Sequence, residues 1–297
     1  MNLHEFVQKY PSAAMHLKSG KDFTYRYYKN PNSEVTLVLL TGGIGLSDLF
    51  YLHFERFAKD FSVMTFDYQM QFSDNKEFAA ATAELLSKLN VKAWLVGQSL
   101  GGVVAQIIAK NHPEVVEGLV LSNTCSLAKD MGDEAYRHVM NMVENEEKSK
   151  KMMKFIPFGL FKRLMKAAVM KKLADDLTAE QKSLMEGLCD AMVQLLTKPY
   201  QLHMADFLID VKNHLCMTRR DFEQWNGKVL LILSADDNTF NQACKDSLIA
   251  LMPDPTVVTN ILGGHLALLV KLDIYADTVS GFITGHELPV NTHQAPQ

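Results

Sequence analysis

The chain has 297 residues, enough for one large α/β domain or two small ones, and with 47% hydrophobic and 22% charged residues it has the balance of an ordinary soluble globular protein. Sixteen Gly and nine Pro exclude collagen-like and low-complexity designs, and 30 basic against 34 acidic side chains leave a net charge of −4, without the basic excess of a dedicated nucleic-acid binder. No apolar run is long enough to span a bilayer, and MNLHEFVQKYPSAAMHLKSGK lacks the basic-then-apolar pattern of a secretory signal, so a cytoplasmic protein is expected.

In chain order, residues 12–18 and 22–28 flank Ser19-Gly20-Lys21 and read as an antiparallel hairpin at a sheet edge. Short apolar runs follow: TLVLL (36–40), FSVMTF (61–66), KAWLVG (92–97), EGLVLS (117–122) and KVLLILS (228–234), with a further strand expected in TVVTNIL. Most are rich in Val, Leu and Ile at successive positions, as strands covered on both faces must be. Helical patterns fill the gaps at 48–60, 75–89, 100–111, 240–251 and 266–283. This alternation predicts an α/β fold with a doubly wound, mostly parallel sheet. It breaks between 126 and 225, where amphipathic helical segments hold 11 of the 16 methionines. The expected division is therefore a core of 1–125 and 226–290, with 126–225 as a helical cap above the carboxyl ends of the strands. The tail NTHQAPQ is expected to fray. Cys125, Cys189, Cys216 and Cys244 form no Cys-x-x-Cys pair, so buried reduced thiols are expected, with no metal and no cofactor.

The strongest chemical signal is VGQSLGG (96–102), a G-x-S-x-G pattern with a strand before it and a helix after it. The turn leaves no room for side chains at Gly97 and Gly101 and holds the Ser99 hydroxyl above the sheet at a helix N-terminus, where developing negative charge is favoured. A serine alcohol is a weak nucleophile until an oriented base takes its proton. Among ten histidines, His265 follows a predicted strand in Gly263-Gly264-His265 and precedes the last helix, so its ring can project over the sheet. The orienting acid belongs in SADDNTF after the strand 228–234, where Asp236 and Asp237 both qualify. The other position, after the strand 117–122, offers Asn123, which carries no charge. Whichever aspartate is not catalytic is expected to cap the next helix. For the oxyanion, one backbone N–H is expected from Leu100 and another from the loop Thr41-Gly42-Gly43-Ile44-Gly45, at Gly43 or Ile44. Gln98, beside the nucleophile, is assigned to substrate binding.

The order of VGQSLGG, SADDNTF and GGHLALLV resembles the α/β-hydrolase fold superfamily over essentially the whole chain outside the cap. The resemblance implies a serine hydrolase and prefers Asp237 over Asp236 as the acid. Many members begin the oxyanion loop with His-Gly, whereas this chain has Thr41-Gly42, and the Pro usual after the acid turn is missing. The cap run KFIPFGLFKRLMKAAVMKKL resembles that of maspardin-like members.

The expected function is hydrolysis of an ester, thioester or related acyl compound by a Ser99–His265–Asp237 triad. The alternatives are C–C hydrolysis or lyase chemistry with the same residues, or a non-catalytic binding protein on this scaffold. The expected partner is an apolar small-molecule acyl substrate, held by a cap wall containing the clustered methionines with Phe155, Phe158 and Phe161. Residues 148–172 hold nine Lys or Arg and no acid, leaving −13 for the rest of the chain. Phe161, Leu164, Met165, Ala168 and Val169 share one face of this segment. A cap helix with a solvated basic face is preferred over one lying on a membrane.

Overall fold

A computed structural model describes residues 2–171 and 177–294. Among the described residues nine strands form one sheet, in the order β1-β2-β4-β3-β5-β6-β7-β8-β9. The expected hairpin is present as β1 (Ser12–His16) and β2 (Asp22–Tyr28), antiparallel to each other, and β2 in turn pairs antiparallel with β4 (Ser62–Thr65). The central strands β3 (Thr36–Leu40), β5 (Ala93–Gln98), β6 (Val116–Ser122), β7 (Val229–Ile232) and β8 (Thr256–Val258) run parallel, as does β4 against β3. The apolar runs divide by parity. In β3, Val38 and Leu40 face one core while Leu37 and Leu39 face the other, and in β5 Leu95 and Trp94 part in the same way. Both faces of the sheet are thus covered, which is why these strands read as continuous apolar runs.

Helices α3 (Asn75–Lys88), α4 (Leu100–Asn111) and α9 (Gln242–Leu251) pack on the first face. On the second lie α1 (Leu3–Lys9), α2 (Tyr51–Phe57) and α11 (Leu272–Thr284), through Phe6, Phe54, Phe57 and Tyr275. Helix α1 had no counterpart in the sequence reading. Seven residues, about two turns, with an Asn2 capping box are too short for a periodic signal. The tail also differs from expectation: β9 (Thr292–Gln294) pairs antiparallel with β8, and residues 295–297 lie outside the described ones.

Between β6 and β7 the chain runs through α5 (Asp133–Phe155), α6 (Phe158–Lys171), α7 (Ala179–Leu195) and α8 (Lys198–Asp210). Lys172, the last cation of the basic segment, is outside the described residues. Phe222 and Trp225, near the far end of the expected cap, are buried in the core, and the Trp225 indole N–H donates to the Val116 carbonyl at 3.2 Å. Three cysteines are buried as expected, but Cys216 is exposed. Among the described residues no helix is long and apolar enough to cross a membrane.

Candidate active site

The three residues singled out for catalysis emerge at the carboxyl ends of β5, β7 and β8. Ser99 sits between β5 and α4 with φ 53° and ψ −119°, a left-handed conformation that costs a non-glycine residue on the order of 1–3 kcal/mol. Its surroundings enforce that geometry. The Ser99 N–H donates to the Ser122 carbonyl at 3.0 Å, and its carbonyl accepts from the Thr124 hydroxyl at 2.7 Å and from Gly102 N–H at 2.9 Å. A Cβ on Gly97 would lie 2.4 Å from the Gly101 carbonyl oxygen, and one on Gly101 only 2.0 Å from that of Leu40. The turn is therefore closed by backbone on both sides.

His265 lies on the turn before α10 (Ala267–Val270), and its Nδ1 is 3.1 Å from Asp237 Oδ2. The Asp237 side chain is fully buried and the His265 ring is 21% exposed, which leaves the ring open to the cavity described below. Burial by itself would raise the Asp237 pKa, but the hydrogen bond and charge of His265, with the Thr239 N–H at 2.7 Å, hold it below the usual carboxylate range. A carboxylate there fixes the Nδ1–H tautomer and leaves a lone pair on Nε2. Among the described residues that lone pair faces Gln98 Nε2 at 3.4 Å, and Gln98 Nε2 also donates to the His265 carbonyl at 3.2 Å. No hydrogen bond joins Ser99 Oγ to His265 in this state, although both residues line one cavity.

The other aspartate does not cap a helix. Asp236 is exposed and accepts from Gly263 N–H at 2.9 Å, bracing the histidine turn, while Asn241 caps α9 through Cys244 N–H. Asn123, set aside as an acid for want of charge, ties the two turns together. Its amide donates to Ser234 Oγ and the Gly264 carbonyl, both at 3.0 Å, and its Oδ1 accepts from Ser234 N–H at 2.8 Å. Buried Lys245 adds a bond from Nζ to the Ser234 carbonyl at 2.7 Å. A polar residue at the end of a buried strand was the available signal for Asn123. For Lys245, helical spacing gave none.

The loop 41–45 approaches Ser99 closely: a Cβ on Gly42 would be 3.3 Å from that of Ser99. Two phenols hold the loop, Tyr68 donating to the Thr41 carbonyl at 2.9 Å and Tyr200 of α8 to that of Gly45 at 2.7 Å. Among the described residues no backbone carbonyl accepts from the N–H of Leu100, Gly43 or Ile44. These donors remain free for an oxyanion.

A cavity of about 300 Å³ opens over Ser99, His265, Gln98 and the loop. Its wall is mostly apolar, with Leu46, Leu49, Leu188, Leu208 and Leu269 prominent. The methionine expectation is met only in part. Met185 and Met192 line this cavity, while Met204 packs beneath Gly45 and Met152 faces solvent. Phe155 is 88% exposed, and Phe158, stacked on Phe161 at 5.6 Å, packs behind Leu46 and Met192 without lining the cavity itself. A second cavity of about 150 Å³ reaches Ser99 from the side of α5, lined by Val139, Met142, Phe240 and Glu146, whose carboxyl burial pushes upward in pKa.

Comparison with known proteins agrees with this architecture. The family model described as alpha/beta hydrolase fold matches residues 35–272. No curated protein matches the chain. Among solved structures, MGS-M2, an alpha/beta hydrolase enzyme from a Medee basin deep-sea metagenome library, is 17% identical with a TM-score of 0.71, covering 94% of this chain and 100% of that one. A hydrolase from Pseudomonas aeruginosa PA01 is 16% identical with a TM-score of 0.69 over 92% of this chain and 98% of its own. A thermophilic esterase from Thermogutta terrifontis is 14% identical, with a TM-score of 0.66 and coverage of 92% and 98%. At such identities the likeness speaks for the fold, and with the family match over most of its length the chain belongs to the α/β-hydrolase fold family.

Proposed function

We propose that the protein is a serine hydrolase acting on an ester, thioester or related acyl substrate. The observation that carries this reading is the buried Asp237 carboxylate 3.1 Å from His265 Nδ1, beside a serine held at φ 53°. Ser99 Oγ attacks the carbonyl carbon as His265 Nε2 takes its proton, and the Leu100 N–H with that of Gly43 or Ile44 receives the oxyanion. His265 then protonates the leaving group. Water, deprotonated by the same nitrogen, releases the acid and restores Ser99. For this cycle the Gln98 amide must yield Nε2 to the serine when substrate enters, which gives Gln98 a role in substrate binding. Within residues 126–225 the helices α5 to α8 serve as a cap, with α7 and α8 closing the apolar cavity over the nucleophile, while Phe222 and Trp225 belong to the core.

The test is a fluorophosphonate probe on the native protein. Labelling that disappears in Ser99→Ala supports the hydrolase, whereas an unlabelled, folded protein favours a binding role for the scaffold.

The apolar wall supports an uncharged chain or ring in the substrate over a dicarboxylate or sugar phosphate. In a p-nitrophenyl series from acetate to octanoate, kcat/KM should climb by up to about 0.8 kcal/mol per buried methylene until the cavity is full. A steady decline from acetate onward would refute the apolar preference and leave the triad standing.

The two aspartates should separate in the same assay. Asp237→Asn is expected to remove most turnover, because the wrong histidine tautomer follows. Asp236→Asn should lower the melting temperature slightly and keep most activity, since one part-buried hydrogen bond to Gly263 is worth about 0.5–1.5 kcal/mol. The reverse outcome would reassign the acid.

A further inference from the structure

Four of the large hydrophobic side chains that the fold leaves in solvent fall within thirteen residues of the helical insertion: Met152 at 59% exposure, Phe155 at 88%, Leu160 at 50% and Leu164 at 56%. They cluster where α5 ends, the chain turns at Ile156-Pro157, and α6 begins. The face expected to bury Leu164 does not bury it. Phe161, Met165 and Val169 are the partly buried side of α6, with Met165 packing beside Met192 and Leu196 and Val169 reaching the cavity, while Leu160 and Leu164 point outward. A solvated basic face on an otherwise buried helix would not present these side chains.

The segment's own charges are of one sign. Segment 148–172 carries nine Lys or Arg and no acid, while the rest of the chain carries −13. Lys150 and Lys166 pair with Asp206 and Asp190, and Lys162 donates to the Val193 carbonyl. Lys148, Lys151, Lys154 and Arg163 are exposed and make no ion pair among the described residues. The cations therefore surround and interleave with the apolar tip: Lys148 and Lys151 precede Met152, Lys154 adjoins Phe155, and Arg163 lies between Leu160 and Leu164.

We propose that the α5–α6 tip is a docking surface for an anionic lipid bilayer, with Phe155, Leu160 and Leu164 entering the headgroup–acyl boundary and the surrounding cations facing lipid phosphates and carboxylates. An amphipathic element with an apolar edge and a basic collar gains from both terms at once, and each cation adds about fivefold in affinity near an anionic surface at low salt. A second copy of the chain fits this face less well. A two-fold contact is self-complementary and would set the basic collar against itself. Since α6 also contributes Val169 to the cavity, a docked tip would hold that apolar opening close to the membrane.

Vesicle flotation tests this without reference to activity, so its outcome is independent of the hydrolase assignment. The full-length protein is mixed with vesicles of phosphatidylcholine alone, or of phosphatidylcholine with about 30% phosphatidylserine, at low and high salt. The expected result is at least about tenfold stronger binding to the anionic vesicles, lost at high salt. The variant Phe155→Ser/Leu160→Ser/Leu164→Ser should bind at least about tenfold more weakly. Lys151→Gln/Lys154→Gln/Arg163→Gln should lose the preference for phosphatidylserine, and both variants should melt as the native protein does. Absence of binding to either vesicle, or binding that the variants leave unchanged, overturns the proposal. So does a concentration-dependent dimer in sedimentation velocity that the apolar variant abolishes without any vesicle binding, since the tip would then be a contact between copies.

Discussion

Replacing His265 with alanine is expected to lower turnover on the best ester at least about 10³-fold, and Ser99→Ala should do the same. In the proposed cycle neither residue works alone. The hydroxyl of Ser99 is a poor nucleophile until Nε2 takes its proton, and Nε2 offers a lone pair only because the Asp237 carboxylate holds the proton on Nδ1 at 3.1 Å. The double variant should accordingly be little worse than either single one, because the second substitution removes a partner already idle. Substrate binding should change far less than turnover, as the cavity wall is supplied mainly by leucines from other elements. Near-normal turnover in His265→Ala would refute the triad, and losses that multiply in the double variant would show that the two residues act independently.

The largest effect on stability is expected at Gly101. A methyl group there would stand 2.0 Å from the Leu40 carbonyl oxygen, 2.6 Å from its carbon and 2.8 Å from the Thr41 carbonyl oxygen. All three are backbone atoms, so no rotamer change relieves the overlap, and α4 must move away from β3. Displacing a helix that carries Val103, Val104, Ile107 and Ile108 into the core should cost more than about 3 kcal/mol, above the usual range for overpacking. Gly101→Ala should therefore be insoluble or unfold at much lower urea. Gly187→Ala is the matched control. It lies in α7 with nothing within 4 Å of its added carbon, and should be neutral or stabilising by up to about 1 kcal/mol. Equal melting curves for Gly101→Ala and the native protein would mean that the turn is looser than its contacts indicate.

Much of this arrangement is written locally. The runs at 36–40 and 92–97 show apolar residues on both faces because the strands are covered by helices on both faces, and that requirement acts within a few residues. The turn around Ser99 is legible through its local part, since Gly97 meets Gly101 within one strand–turn–helix unit, whereas the space that Gly101 leaves is taken by Leu40 and Thr41, far off in the chain. The break in alternation after residue 125 likewise marks where strands give way to the helices α5 to α8.

What the tertiary structure decided are the contacts between residues far apart in the chain. Asp236 and Asp237 have the same local pattern, and only the path of the turn carrying His265 sends one carboxyl to Nδ1 and the other to Gly263 N–H. Asn123 looked idle because its value lies in bridging Ser234 and Gly264, more than a hundred residues away. Gln98 meets His265 Nε2 across a similar separation. The side chains on α6 show the limit most plainly. Helical periodicity placed Phe161, Leu164, Met165, Ala168 and Val169 together, but it records angles about the helix axis and carries no information on which neighbours arrive. Packing against α7 covered Met165 and left Leu164 in water, and the chain's position over the sheet gave the cavity Met185 and Met192 rather than Phe155. Amphipathicity is a property of one helix, whereas burial belongs to the whole assembly of helices, and only the folded chain fixes it.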